Sequence, residues 1–534
     1  MKRTKLFALG LAMTMAATAL TGCGGSNSGS ADAGTGTTQT ADGEKVLKFG
    51  CQMYSDGLID PAAQTNCAWN AMRYGITESL FKFADDMSVV PWLAESCDVS
   101  PDHKTWTIKL KDGIKFSDGC DMTATKVKES LDRVRAEGPN GSSTPEKFLE
   151  YEAEVTADDA ANTITITTQT AYIDLTGNLA HPVMAITDVA DTSDWNNGTI
   201  GTGPYVASKF TDRVGYDLVK NENYYEAVPY DKVELLYMGD ASAKAMALQN
   251  GQVDLVENIT NVSDIQKLQE DDNFTVDIAS GVRTGFAWIN QAGVLGNDTL
   301  RKAMLMAIDY ETICQSNTIG GLYTAGFSVL PSSLSYNYDK LTNPYEYDPE
   351  AAMKLMDEAG IVDTDGDGIR EIDGQNINLT VVSYENRLLN DFADAQSQYL
   401  NKVGIGTTAK YGSSDDQWTS LVAGEYDLNQ NNWTTVATGD PIDYMANWYS
   451  KCDSDYCGYE NADYDALYEQ LLEEMDADKR VELITEMQQI LIDDAAVLVD
   501  GYYNSSMIYS KNVGYAHIHT ADYYWLSTEI TPAD

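Results

Sequence analysis

From Lys45 to the end of the chain two hydrophobic rhythms alternate, and this alternation restricts the fold more than any other feature. Thr105-Trp106-Thr107-Ile108-Lys109-Leu110 sets Trp106, Ile108 and Leu110 at every second position, the pattern of a strand with one buried face. Trp69, Met72, Ile76 and Leu80 recur at every third or fourth position, as on a helix lying against a core. The spacing predicts a helix from Asn66 leading into a short strand that ends at Phe83. Thr123 is placed to cap a further helix whose apolar stripe is Val127, Leu131 and Val134. Interleaved segments of both kinds build α/β or α+β lobes. About 490 residues carry the pattern. That is enough for two or three lobes, because single cores stop growing at roughly 250–300 residues. No internal repeat changes this reading.

The first 43 residues are of another kind. Lys2, Arg3 and Lys5 precede a mostly apolar run from Leu6 to Leu20, too short to span a bilayer, which takes about 20 residues. This is the make-up of a removable export signal. Leu20-Thr21-Gly22-Cys23 resembles the bacterial lipoprotein box, which implies that residues 1–22 are cleaved and that Cys23 receives a diacylglycerol. The expected location is then the outer face of a cell membrane, by a lipid anchor. Gly24 to Gly43 is Gly, Ser, Thr, Ala and Asp with little apolar mass, the composition of a flexible tether. No later run of 18 apolar residues suggests a membrane span.

Charge narrows the partners. Loss of the three leading cations takes the formal charge from −47 to −50, a surface that repels nucleic acid and anionic lipid. The 32 Tyr and 9 Trp against 11 Phe suit sites that are part wet and part apolar. Beyond Cys23 lie Cys51, Cys67, Cys97, Cys120, Cys314, Cys452 and Cys457; an odd number leaves at least one thiol. Only Cys452 and Cys457 are close enough in sequence to suggest a local disulfide. The chain holds no H-E-x-x-H, no G-x-S-x-G and no glycine-rich phosphate loop, so the expectation is a binding protein rather than an enzyme.

Between Tyr74 and Val134 several blocks follow in order: Glu78-Ser79-Leu80-Phe81, Pro91-Trp92-Leu93-Ala94-Glu95-Ser96, Lys104-Thr105-Trp106-Thr107 and Gly113-Ile114-Lys115-Phe116-Ser117-Asp118-Gly119. This series resembles extracellular solute-binding proteins of family 5, the peptide/nickel type that serves ABC importers. Later blocks extend the likeness: Gly201-Thr202-Gly203-Pro204-Tyr205, Ala247 to Leu255, Trp288-Ile289-Asn290-Gln291, Leu300 to Asp309, and Asp348-Pro349 through Gly360. The resemblance implies a two-lobed α/β clamshell of the periplasmic-binding type. Lobe one is expected at 44–86, 200–289 and 501–534, an extra subdomain at 87–199, and lobe two at 290–500. Two chain crossings make a hinge that permits closure on a ligand. It further implies a monomer that captures oligopeptides or similar solutes and delivers them to permease and ATPase subunits. The alternatives are a metal-chelate (nickel) ligand, or ligand sensing without transport.

Three constellations supply candidate site residues. Asp363, Asp365 and Asp367, with Gly368 at position 6, form the front half of a calcium loop; Gly374 stands at position 12 where a bidentate Glu is usual. A structural Ca²⁺ is therefore open, and no other cofactor is required. His517 and His519 are two apart, so on a strand they share a face. His181 lies in a segment that, by the resemblance, helps hold a metal chelate in nickel-type relatives. Asn432 to Tyr444 resembles the family's Trp…Asp-Pro loop, which lines the cleft. Typical peptide binders hold the ligand's amino terminus with an Asp shortly before that Asp-Pro pair; here Val436 or Ala437 stands there. The resemblance makes Trp433 and Tyr444 cleft walls, with Trp69 on the early helix beside them. Asp440 is then the acid left for a peptide, and Arg73 and Arg387 are the groups to hold ligand carboxylates.

Overall fold

A computed structural model describes residues 43–137, 148–452 and 456–533. The leader, Cys23, nearly all of the tether and the middle of the Cys452–Cys457 loop lie outside the described residues. An 11-stranded mixed sheet runs through the molecule. Its centre is a pair of long antiparallel strands, Phe274–Ile289 and Val497–Ser510, registered from Phe274 opposite Ser510 to Trp288 opposite Val497. One end of the pair adjoins Leu255–Glu257, beyond which lie Val46–Cys51, Lys232–Tyr237, Gly215–Lys220 and Tyr205–Thr211. At its other end it adjoins Leu428–Thr434, then Asn378–Tyr384 and Gly406–Gly412. The two long strands thus carry the chain from one group of elements to the other and back. Both are rich in small and β-branched or aromatic residues and are buried along most of their length, as central strands are.

A separate four-stranded sheet, in the order Ala94–Val99, Thr105–Leu110, Thr163–Thr167 and Glu154–Asp158, is covered by the helix Ala124–Glu137. Trp106, Ile108 and Leu110 all face its core, as their alternation predicts. Thr123 Oγ1 accepts from Lys126 N–H at 3.3 Å at the start of the covering helix. Asp348 caps the helix Pro349–Glu358 through Ala351 N–H at 2.9 Å.

The early helix is shorter than its apolar spacing suggests. It spans Thr65–Arg73 and stops before Gly75, whose φ of +65° turns the chain. A side chain at Gly75 would strike the Leu526 carbonyl, so only glycine fits. Ile76 and Leu80 are buried beyond the helix, in different cores. The histidine pair also differs: residues 516–519 are not in a strand. His517 bonds Asp277 (2.8 Å) and Asp85 (3.1 Å), and His519 bonds the Ala84 carbonyl and Ala521 N–H. All four ring nitrogens are engaged, which leaves none to ligate a metal.

After the turn, Glu78 is buried and ties three segments. Its Oε1 accepts from Tyr224 (2.7 Å) and Tyr225 (2.9 Å), and Oε2 accepts from Thr202 (2.9 Å). Burial outweighs these donors and pushes the carboxyl up to about 7. The folded chain therefore holds a proton that an ordinary carboxylate has lost, and stability falls as pH rises from about 4.5 to about 7. Glu78→Gln should remove this slope. In urea titrations the variant is expected to match the native chain near pH 4.5 and to be the more stable above pH 7, by roughly 3 kcal/mol. Parallel pH profiles would contradict the assignment.

Candidate ligand cleft

A strand irregularity sets up the cleft. The register of the two long strands shifts between Ser280 and Arg283, a bulge of the kind that re-aims a side chain. Arg283 emerges there and is held by neutral groups only. Its Nε donates to Asn432 Oδ1 (2.9 Å), Nη2 to the Asn432 carbonyl (3.2 Å), and Nη1 to Thr434 Oγ1. Burial, with the charges of Arg387 and Arg73 nearby, pulls its guanidinium down to about 10.

The second cation comes from the turn between the strand Asn378–Tyr384 and the helix Leu389–Lys402. Arg387 and Leu388 are consecutive left-handed residues, with φ of 45° and 60°. Each such non-glycine residue costs of order 1–3 kcal/mol and persists only where its surroundings hold it. Here the Arg387 carbonyl accepts from Tyr323 OH at 2.8 Å; that hydroxyl accepts from Asn432 Nδ2 at 3.0 Å. Asn432 therefore links both arginines. The Arg387 guanidinium lies 5.7 Å from the centre of the Tyr503 ring and has no hydrogen bond or ion pair among the described residues. It lines a cavity of about 770 Å³ with Gln52, Tyr54, Glu257 and Tyr503, a volume usual for small-molecule sites.

The third arginine is compensated. Arg73, 2% exposed, donates from Nη2 to Asp522 Oδ2 (3.0 Å) and from Nε to the Asp522 carbonyl (2.7 Å). Tyr54, Trp69 and Trp525 surround its guanidinium, with ring centres at 5.2, 5.2 and 4.6 Å. Of these three cations only Arg73 has a direct acidic partner among the described residues. In a chain with 82 Asp and Glu against 35 Lys and Arg, cations without an acid are costly to place by chance; a buried charge is normally paired.

The model of the bacterial extracellular solute-binding proteins, family 5, matches residues 88–456. The chain belongs to this family. The nickel-binding protein NikA of Staphylococcus aureus is 29% identical over 54% of this chain and 55% of its own length, so the match spans about half of that relative. The dipeptide-binding protein DppE of Bacillus subtilis is 24% identical over 96% of both chains. Among solved structures, NikA from Brucella suis in complex with Fe(III)-EDTA superposes with a TM-score of 0.81 at 22% identity, covering 92% of this chain and 100% of that one. The fold is thus that of the two-lobed binding proteins.

Within this family-5 chain the expected site residues fall into two groups. Of the first group Arg387 lines the cavity with Tyr54, while Arg73 and Trp69 stand behind that tyrosine, outside the cavity lining, with Arg73 5.2 Å from both rings. His181 lies near them, 6.0 Å from Tyr523, which in turn is 6.1 Å from Trp69. His181 is buried, stacks on Phe148 and accepts from Val183 N–H at 3.2 Å. Burial pulls the ring down to about 3, so it serves as a neutral cap. The other group points elsewhere. Trp433 alternates with Asn432 and Thr434 along its strand, so its ring leaves on the opposite face and packs on Phe286 and Trp288. Tyr444 joins the same aromatic cluster. Neither lines the cavity. Asp440 Oδ2 is gripped by Arg480 at 3.0 and 2.9 Å, and its Oδ1 accepts from Ile442 N–H. Val436 is fully buried in the core beneath the four-stranded sheet, which explains why the position is apolar.

Tyr54, Tyr503 and Glu257 line the cavity, and Arg283 lies behind it through Asn432 and Tyr323; no motif marked any of the four. The one available signal was Arg283 itself, an arginine in Ser280-Gly281-Val282-Arg283-Thr284-Gly285, a few residues before the Trp288–Gln291 block.

Proposed function

We propose that this chain captures a small carboxylate-bearing solute outside the cell and delivers it to the permease of an ABC importer powered by ATPase subunits. Arg387 carries the reading: a strained turn holds its guanidinium, without an acidic partner among the described residues, in the wall of a cavity of small-molecule size. A carboxylate is the natural partner of such a two-pronged donor. Short peptides are the class that fits the full-length likeness to a dipeptide-binding protein. A metal–carboxylate chelate is the second reading, favoured by the lobe-two loop, where Asp440 is engaged by Arg480 and Val436 is buried. Calorimetry with a short-peptide library and with nickel–histidine separates the two. Micromolar or tighter peptide binding that is indifferent to chelators supports peptides; tight nickel–histidine binding without peptide binding supports the chelate; failure of every carboxylate ligand overturns both.

Two further parts of the reading rest on sequence. Among the described residues no helix is long and apolar enough to cross a membrane, and the lipid on Cys23 is the proposed anchor. Cys23→Ser should release the protein into the medium or leave unprocessed precursor, read by fractionation; equal membrane retention contradicts it. The loop Asp363, Asp365 and Asp367 is the proposed structural calcium site. Carboxylate oxygens of Asp363, Asp365 and Glu371 lie within 4.8 Å of one another, with Asp367 outside that group, so in this reading Glu371 would supply an acid in place of Gly374 and Asp367. Asp365→Ala should lower the melting temperature in calcium and leave it unchanged in chelator, with ligand preference intact.

A further inference from the structure

A second cavity forms where the helix Tyr310–Cys314, the segment 325–347 and the start of the strand Val497–Ser510 meet. Its volume is about 550 Å³, and it shares no lining residue with the Arg387 cavity. The aliphatic part of its lining, Ile308, Ile492, Val497 and Val499, is buried. Tyr310, Phe327, Tyr338, Tyr345 and Tyr347 add aromatic walls. The rings of Phe327 and Tyr338 are tilted against each other with centres 4.8 Å apart. Tyr347 is 46% exposed, which is unusual for a ring with no ligand to cover.

The walls are fastened within the chain. Tyr345 OH donates to the Asp493 carbonyl at 2.5 Å, and Tyr338 OH accepts from Phe327 N–H at 3.3 Å. Between these tyrosines in sequence, Thr342 N–H donates to Gln489 Oε1 at 2.9 Å, and Gln489 Nε2 donates back to the Thr342 carbonyl at 3.0 Å. The segment is thus pinned to the helix Ala477–Asp493. On its other flank Asp348 N–H donates to the Met306 carbonyl at 2.9 Å. A cavity set in advance loses little affinity to ordering its own walls.

Charge selects the ligand. Asp309, Glu311 and Glu346 line the cavity, and among the described residues no lysine, arginine or histidine does. Cations close in sequence are committed elsewhere: Arg301 and Lys302 pair with Asp298, and Lys354 with Glu358. Lys340 is exposed and stands outside the lining. An anion therefore finds no partner here. A divalent metal ion needs converging carboxylates, and the described groups close enough to share one lie around Asp118 and Asp363 instead. In so acidic a chain three acids alone would say little. Their combination with aromatic walls, an aliphatic lining and no competing cation is what decides. Ring faces attract an organic cation through their quadrupole, and the carboxylates raise its local concentration.

We propose that this cavity binds a small organic cation of the quaternary-ammonium class, at a site separate from the carboxylate-capturing one. The rings and the aliphatic lining take its alkyl groups, and Asp309, Glu311 and Glu346 balance its charge. The site is independent of what Arg387 holds.

Calorimetry on the mature chain tests this with choline as the probe. The control is its neutral analogue, in which a tert-butyl group replaces the trimethylammonium. Choline should bind about 10-fold or more tightly than the analogue, as a partly desolvated cation over aromatic rings does. The double variant Tyr347→Leu with Glu346→Gln alters two exposed positions, so its melting temperature should match that of the native chain. It should bind choline at least about 5-fold more weakly and capture the solute of the Arg387 cavity as before. Should it fold poorly, Glu311→Gln is expected to weaken choline in the same direction. Equal binding of choline and its neutral analogue would overturn the proposal. So would an absence of choline binding, or choline binding unmoved in these variants, which would place it elsewhere on the chain.

Discussion

Replacing Arg387 by alanine should lower affinity for the captured solute by about 30-fold or more while leaving the fold as stable as before. Truncating one partner of a buried, hydrogen-bonded charge pair typically costs roughly 2–5 kcal/mol of binding. The stability side follows from what Arg387 lacks. Its guanidinium makes no hydrogen bond or ion pair among the described residues, so its removal breaks little beyond a distant contact with the Tyr503 ring. Its backbone is strained at φ 45°. Arg387→Gly relieves that strain and should raise stability by about 1 kcal/mol while binding is lost to the same degree. A chain that loses both binding and stability in Arg387→Gly would show that the residue holds the fold instead.

Asp522→Asn is expected to have the opposite character, a large loss of stability. Asp522 is the acid of the buried pair with Arg73, and it also accepts from Trp525 Nε1 at 2.5 Å. Leu526 N–H donates to the Arg73 carbonyl at 2.8 Å, so the C-terminal segment is latched onto the early helix at this point. Asparagine tolerates the φ of 60° found there, so the substitution isolates the lost charge. Leaving Arg73 buried without its acid should cost roughly 3–5 kcal/mol. A matching fall in the urea midpoint is expected, with earlier proteolysis in the C-terminal segment. A midpoint shift within experimental error would show that Arg73 is paired elsewhere.

Legibility followed the range of the interactions. Thr105–Leu110 was readable because its alternation is local and one face meets one core. The helix at Asp348 was readable because its cap lies three residues from its donor. The early helix was overrun because Ile76 and Leu80 keep helical spacing while serving two different cores past Gly75. Arg387 was named through the family resemblance as a group to hold a ligand carboxylate, and it lines the cavity. Trp433 was assigned to the cleft through family resemblance, although the strand's period of two gives that face to Asn432 and Thr434. The full set at the cavity was beyond sequence reasoning. Tyr54, Glu257, Arg387 and Tyr503 are separated by more than one hundred residues at each step, and only the pairing of the two long strands with their neighbours brings them together.

The central claim is that the cavity lined by Arg387 and Tyr503 holds a carboxylate-bearing solute through Arg387. Native mass spectrometry of the chain purified without added ligand tests it most directly, with Arg387→Ala prepared from the same cells. The account predicts an adduct on the native chain whose fragments carry a carboxylate, and a bare mass for Arg387→Ala. The same adduct retained in equal amount by Arg387→Ala, or an adduct with no carboxylate, would contradict it.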